Sequence, residues 1–202
     1  CHSKSLVELG ERFVPPIREF KKDPRKLLMV PANSKMRHPQ IEEQRIKDLK
    51  QYSNNCPLNK IEINDTKIGI IANGISYQYA KEVFGENASY LKIGMSNPMP
   101  DKLIKEFAEK VDKLYVIEEN EPFMETQIKA MGISCTGKEL FPICWELSPE
   151  IIREKLLGDS PSISYNSEVQ APLRPPVLCA GCPHRGLFYE LGKYKDKAYF
   201  SG

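Results

Sequence analysis

The chain has 202 residues, of which 41% are hydrophobic and 28% charged, and a formal net charge of +2. That composition supports a soluble domain of ordinary size with extensions and one core. Basic and acidic residues alternate, as in KEFAEKVDK, which excludes a basic stripe for nucleic acid; no apolar run nears the roughly 18 residues that span a bilayer, and no signal peptide is visible.

Residues 1–59 are rich in charge and helical in pattern, and read as a connector or arm rather than a domain. SKSLVELGERF predicts a helix with Ser3 or Ser5 as its N-cap and Leu6, Leu9 and Phe13 at helical spacing. LLMV, residues 27–30, predicts a short strand. HPQIEEQRIKDLKQYSNN predicts an exposed amphipathic helix with Ile41, Ile46 and Leu49 on one side.

From residue 60 the chain alternates strand and helix. KIGIIANG, SYLKIG and KLYVIEEN are the strands; SYQYAKEVF, DKLIKEFAEKV and EPFMETQIKAMG are the helices. In the second helix Leu103, Ile104, Phe107 and Val111 share a face. This alternation predicts βαβ units, hence a doubly wound, mainly parallel α/β sheet over residues 60–158. Sites in such sheets lie beyond the carboxyl ends of the strands. That directs attention to Asn73–Gly74, to Met95–Ser96–Asn97 and to Glu118–Glu119–Asn120. Gly74 permits a tight turn and Asn73 can bond backbone groups. IANGIS lacks the glycine spacing of a phosphate loop, so a plain strand-to-helix turn is the simpler reading. Glu118 and Glu119 are neighbours at a strand end and point to opposite faces. They form no acid/base pair and a solvated edge is the default for both; with Asn73 and Gly74, Glu118 and Glu119 are the candidate contacts for a partner subunit.

SPEIIREKLLGD predicts a helix with Ser148 as cap and Pro149 at the first position. Residues 159–176 are dense in serine and proline and read as a linker. Six cysteines stand at positions 1, 56, 135, 144, 179 and 182, a sparse set that suits a reducing, cytoplasmic setting. Only Cys179 and Cys182 are closely spaced. With Gly181 letting the backbone turn between them, two thiolates can face one metal centre. His184 adds a group that titrates and Arg185 a permanent positive charge. The helix that follows turns its N terminus, a favourable place for anions, toward them. A structural zinc or an iron–sulfur cluster takes about four protein ligands, and this motif supplies two. Partial metal ligation, inert thiols and a redox pair all remain open on the residues alone.

RPPVLCAGCPHRGLFYELGK followed by KAYFSG, VPANSKMRHP at 30–39 and KIGIIANGISYQYAKE at 67–82 resemble the large (alpha) subunit of the indolepyruvate:ferredoxin oxidoreductases. These belong to the 2-oxoacid:ferredoxin oxidoreductase superfamily. The resemblance covers the whole chain. It implies an enzyme that decarboxylates indolepyruvate or other arylpyruvates on thiamine diphosphate with Mg2+, passes the acyl group to coenzyme A, and sends electrons through [4Fe-4S] clusters to ferredoxin. The smaller beta subunit of the oxidoreductase is an implied partner. In this frame residues 60–158 are a transketolase C-terminal-like domain. Residues 177–202 open the domain that binds thiamine diphosphate, cut short, and the chain is an internal piece of a longer polypeptide, inactive alone and serving as scaffold and interface. CAGCPHR corresponds to the Cys-Pro-Gly-Cys opening of that domain, with Ala180 in place of the common proline. The resemblance carries Cys179 and Cys182 over as an incomplete set of cluster ligands, and Gly181, His184 and Arg185 as cofactor-side residues; it puts no catalytic residue in this chain. The competing expectations are a stand-alone α/β interaction module with an inert Cys-x-x-Cys, and a small metal-binding redox domain.

Overall fold

Strand β2 (Ile68–Asn73) runs through the centre of a four-stranded sheet whose order is β1-β3-β2-β4. Its neighbours, β3 (Ser89–Ile93) and β4 (Lys113–Ile117), both lie parallel to it, with Ile71 opposite Leu91 and Val116. The short β1 (Lys60–Glu62) closes the β3 edge antiparallel, Ile61 opposite Leu91. This computed structural model describes residues 8–159, 177–178 and 180–198. The chain divides into two units, Cys1–Ser162 and Ile163–Gly202.

The α/β class expected from the sequence is the one observed, and the physical reason is visible in β2. A strand covered on both faces has no polar side, and Ile70, Ile71 and Ala72 are all fully buried. Ile70 and Ala72 face one core, with Tyr77, Ala80 and Phe84 of α4 (Gly74–Phe84) and Ile152 of α7 (Pro149–Leu157). Ile71 faces the other, with Ile104 and Phe107 of α5 (Asp101–Ala108) and Met124 and Ile128 of α6 (Phe123–Ala130). The crossover from β2 to β3 and the return from β3 to β4 run in opposite directions. Right-handed crossovers of opposite direction put their helices on opposite faces, as α4 and α5 are here. Gly69 stays small because a Cβ there would run into the Val111 side chain.

Helix ends follow local chemistry. The Ser148 hydroxyl accepts from the Ile151 amide at 3.3 Å with Pro149 at the first position of α7, as predicted. The amide of Gly85, at φ 53°, closes α4 onto the Lys81 carbonyl.

The first 59 residues differ from expectation. Residues 8–22 form no helix, and Leu9 and Phe13 are exposed; helical spacing there has no surface to pack on, so nothing stabilises the turns. LLMV is no strand: Leu27 ends the short α1 (Pro24–Leu27), and residues 28–30 are irregular and exposed. A strand needs a partner edge, and none is offered among the described residues. The amphipathic helix does form, as α2 (Pro31–Pro39), a π-helical stretch Gln40–Arg45 and α3 (Ile46–Asn55). The π stretch directly follows Pro39, which lacks the amide that a regular turn requires. Ile41, Ile46 and Leu49, the three expected to share a side, are all half-buried. Asn54 ties α3 to α5: its carbonyl oxygen accepts from the Lys102 and Leu103 amides, and its amide donates to Asp101.

In the second unit α8 (His184–Gly192) follows Pro183, with Leu187, Phe188 and Tyr189 exposed. Cys179 and most of the serine–proline linker lie outside the described residues. No helix among the described residues is long and apolar enough to cross a membrane.

Candidate functional site

The carboxyl ends of β2 and β4 lie side by side. The register sets Ala72 against Ile117, so Asn73 and Glu118 follow as neighbours. The chain leaves β2 for one face and β4 for the other, which makes this edge the topological switch point of the sheet. Gly74 enters α4 at φ 49°, and a Cβ there would meet nothing within 4 Å, so the conformation and not crowding demands glycine. Asn73 is extended and its side chain caps nothing. Beyond β3, Gly94 and Met95 donate their amides to the Asn59 carbonyl oxygen at 2.8 Å each, and Asn59 is anchored by donating to the Ser53 carbonyl.

Glu118 is not at a solvated edge. It is 4% exposed, and its two carboxylate oxygens accept from the Met124 and Glu125 amides at 2.8 and 2.9 Å. It therefore terminates α6, where the first amides have no helical partner and the helix dipole favours negative charge. The β4 strand ends at Ile117, three residues short of its apolar-and-acidic pattern, because residues from Glu118 on are needed for this turn. Lys138 holds the turn from behind. Its ammonium donates to the Glu118 carbonyl at 2.5 Å and to the Pro142 carbonyl at 3.1 Å. Burial lowers its pKa, while the carboxylates of Glu118, Glu125, Glu119 and Glu121 oppose that shift. Glu125 is also buried; it accepts from Lys129 at 2.6 Å and from the Lys138 amide at 2.8 Å. Burial would raise its pKa, but those bonds and the two lysines hold it lowered. A Cβ at Gly137 would collide with the Glu125 carboxylate.

Glu119 is half exposed and accepts from the Leu147 amide at 3.4 Å. It lines a crevice with Asn120, Trp145 and Glu146. Asn120 and Trp145 are the described non-glycine residues with positive φ, 57° and 71°, and Trp145 is 90% exposed.

A second polar cluster flanks the opposite edge. The Tyr77 hydroxyl donates to Glu62 at 2.5 Å and Lys81 donates to the other Glu62 oxygen at 2.6 Å. Burial alone would raise the Glu62 pKa, but Lys81, Tyr77 and Lys60 hold it at about 2. The same burial pushes Tyr90 up to about 12. The ammonium of Lys81 lies 5.2 Å from the Tyr90 ring centre.

In the second unit the Cys182 sulfur lies 3.5 Å from His184 Nδ1, and the Arg185 amide donates to the Cys182 carbonyl at 3.1 Å. Gly181 sits at φ 77°, the turn its sequence position called for. One thiol and one imidazole beside a helix N terminus suit part of a soft-metal ligand set. Among the described residues no three His, Cys, Asp or Glu side chains converge, and Cys179 is not among those residues.

Sequence reading located the strand ends but missed Asn59, Glu62, Glu125 and Lys138. Each acts through a partner 13 to 36 residues away, a separation that no local pattern encodes.

No protein-family model matches the chain. It is similar to the indolepyruvate oxidoreductase subunit IorA of Thermococcus kodakarensis, 36% identical over 93% of this chain and 33% of that one. It is likewise similar to the IorA subunits of Pyrococcus horikoshii, 34% identical over 95% of this chain and 34% of that one, and of Archaeoglobus fulgidus, 32% identical over 97% and 34%. The chain thus spans about a third of the length of the curated relatives it matches. A solved 2-oxoglutarate:ferredoxin oxidoreductase from Magnetococcus marinus, with 2-oxoglutarate, coenzyme A and succinyl-CoA bound, aligns at a TM-score of 0.49 and 21% identity, over 64% of this chain and 23% of that one.

Proposed function

Across the third of the subunit that it spans, the chain is a homologue of indolepyruvate oxidoreductase IorA, and on that premise we propose that it is the central part of such an oxidoreductase's large subunit. The match to the Thermococcus kodakarensis subunit over 93% of the chain carries this reading. The assembled enzyme would convert indolepyruvate or a related arylpyruvate and coenzyme A to acyl-CoA, with a smaller subunit completing it and ferredoxin taking the electrons. The α/β unit, residues 60–158, is a transketolase C-terminal-like scaffold that holds the cofactor-binding parts in register, since catalysis of this kind depends on position.

Thiamine diphosphate, when bound, supplies the carbanion-stabilising chemistry. The residues of this chain would act beside it. Arg185 and the N terminus of α8 offer positive charge to a diphosphate. Cys182, together with Cys179, would furnish two thiolates toward an iron–sulfur cluster completed from elsewhere in the subunit, and His184 bonds the Cys182 sulfur and orients it.

The test is reconstitution of the subunit carrying this chain with its smaller partner, followed by ferredoxin reduction dependent on indolepyruvate and coenzyme A. The expected result is turnover that favours aryl over short aliphatic 2-oxoacids. A complex that assembles and loads cofactor yet reduces nothing with any 2-oxoacid would overturn the reading.

A further inference from the structure

Two parts of the first unit are held in place by different forces. Among the described residues, every buried member of the two core clusters lies at Ile70 or later, and of the residues before Ile68 only Ile61, half-buried, packs against them. Residues 46–64 nevertheless run beside β3 from its exit to its start, as α3, the turn Cys56–Asn59, β1 and Asn64. They bury only Ser53, Cys56 and Asn59.

What fastens this segment is polar. Asn54 accepts from the Lys102 and Leu103 amides at 2.9 and 3.2 Å, and Lys50 pairs with Asp101 at 2.9 Å. Strand β1 adds a ladder of three residues with β3. Glu62 takes the Tyr77 hydroxyl and the Lys81 ammonium of α4. At the far end the Asn64 amide donates to the Ser89 hydroxyl at 2.9 Å, and that hydroxyl donates to the Asp65 carbonyl at 2.9 Å. A layer held by hydrogen bonds and ion pairs over little apolar area opens more easily than the core it lies on.

Asn59 joins the segment to the sheet. Its side-chain amide donates to the Ser53 carbonyl and its backbone amide closes the turn onto the Cys56 carbonyl, both within the segment. Its carbonyl oxygen accepts from the Gly94 and Met95 amides across the boundary. The fit is close, since a Cβ at Gly94 would strike the Leu58 carbonyl. The turn therefore cannot lift without releasing the exit of β3. We infer that residues 46–64 form a strap that opens as one unit while the rest of the sheet stays folded, and that Asn59 is the pin between the strap and the β3 exit. Opening leaves Ser89–Ile93 with an unpaired edge, a template for any extended segment, and frees Met95–Asn97 at the carboxyl edge of the sheet. The ten-residue α3 is too short to persist once detached. The inference is independent of the reaction the subunit takes part in.

Amide hydrogen exchange of the subunit that carries this chain, read peptide by peptide, tests it. Residues 46–64 should exchange at least about tenfold faster than β2. Ile152→Ala, in the core on the α4 face, should speed exchange in β2 and leave the strap unchanged, because the open-strap state keeps that core intact. Circular dichroism checks the fold, and Ile152→Val serves if the alanine variant does not fold. Asn59→Ala should speed α3, β1, Gly94 and Met95 together by about tenfold or more. A strap that exchanges as slowly as β2 overturns the inference. So does a strap that speeds up along with β2 in the Ile152 variant, or an Asn59→Ala effect confined to Gly94 and Met95.

Discussion

Replacing Glu118 by alanine should destabilise the first unit by about 3 kcal/mol. The carboxylate is 4% exposed and accepts two amides at the start of α6. A hydrogen bond to a charged acceptor contributes about 1.5–3 kcal/mol, and an orphaned buried donor costs about 1–3 kcal/mol. Two such bonds would sum to more, but removal of the side chain also relieves repulsion. Glu119, Glu121 and Glu125 crowd the same turn, and like charges near a protein surface repel by about 1 kcal/mol or less each once screened. The Lys138 ammonium keeps its bond to the Glu118 carbonyl but loses the neighbouring carboxylate charge, which adds to the cost. The loss of the two amide bonds therefore wins. Glu118→Gln keeps one acceptor and sets an amide donor against the other N–H, so its cost should be smaller, about 1–2 kcal/mol. With a urea slope near 2 kcal/mol per molar, the alanine variant's midpoint should fall by about 1.5 M when followed by far-ultraviolet circular dichroism. Trp145 fluorescence is a poor probe because that ring is already exposed. A midpoint within about 0.3 M of the parent would show that water or another group satisfies those amides, and the capping role would be refuted.

Three further outcomes follow from the packing and the charges. Glu62 is ionised in the fold with a pKa of about 2, below the usual 4.5; the unfolded chain then binds the extra proton between those values, so its contribution is complete above about pH 5 and disappears toward pH 2. Melting curves of Glu62→Gln should accordingly fall below the parent at pH 7 and converge with it near pH 2, and parallel curves at all pH values would contradict this. Phe107→Ala should cost about 3–5 kcal/mol by leaving a cavity beside Ile71 and Ile104, whereas Leu9→Ala, on the exposed arm, should change stability by less than about 0.5 kcal/mol. Gly69→Ala drives a methyl into Val111 and should cost about 1–3 kcal/mol; Val111→Ala in the same chain should recover part of it, and a lack of recovery would place the strain elsewhere.

The strand–helix alternation from residue 67 to 132 was legible because its spacing is local. Three apolar runs of β length and three helices with i, i+3 and i+4 anchors leave few topologies open, and the right-handed rule selects the one with helices on both faces of the sheet. The resemblance carried by CAGCPHR and KIGIIANG was equally local, and the IorA matches bear it out. Readings that depended on a partner surface went astray. The helical spacing of residues 3–13 and the apolar LLMV had no edge or core to pack on, so neither element formed in the described residues. Strand β1 escaped notice because three residues carry no period; it exists only through its pairing with β3.

At the sheet's carboxyl edge, sequence alone determined which residues would arrive there, since strand ends are set by strand pattern. Tertiary structure decided what each would do. Glu118 and Glu119 are adjacent and identical in type, yet one closes a helix inside the fold and the other opens onto a crevice. That difference is made by the α6 amides, six and seven residues on, and by Lys138 and the Leu147 amide, 20 and 28 residues away. Solvation and hydrogen bonding are properties of what surrounds a side chain, and for these residues the surroundings exist only once the chain has folded.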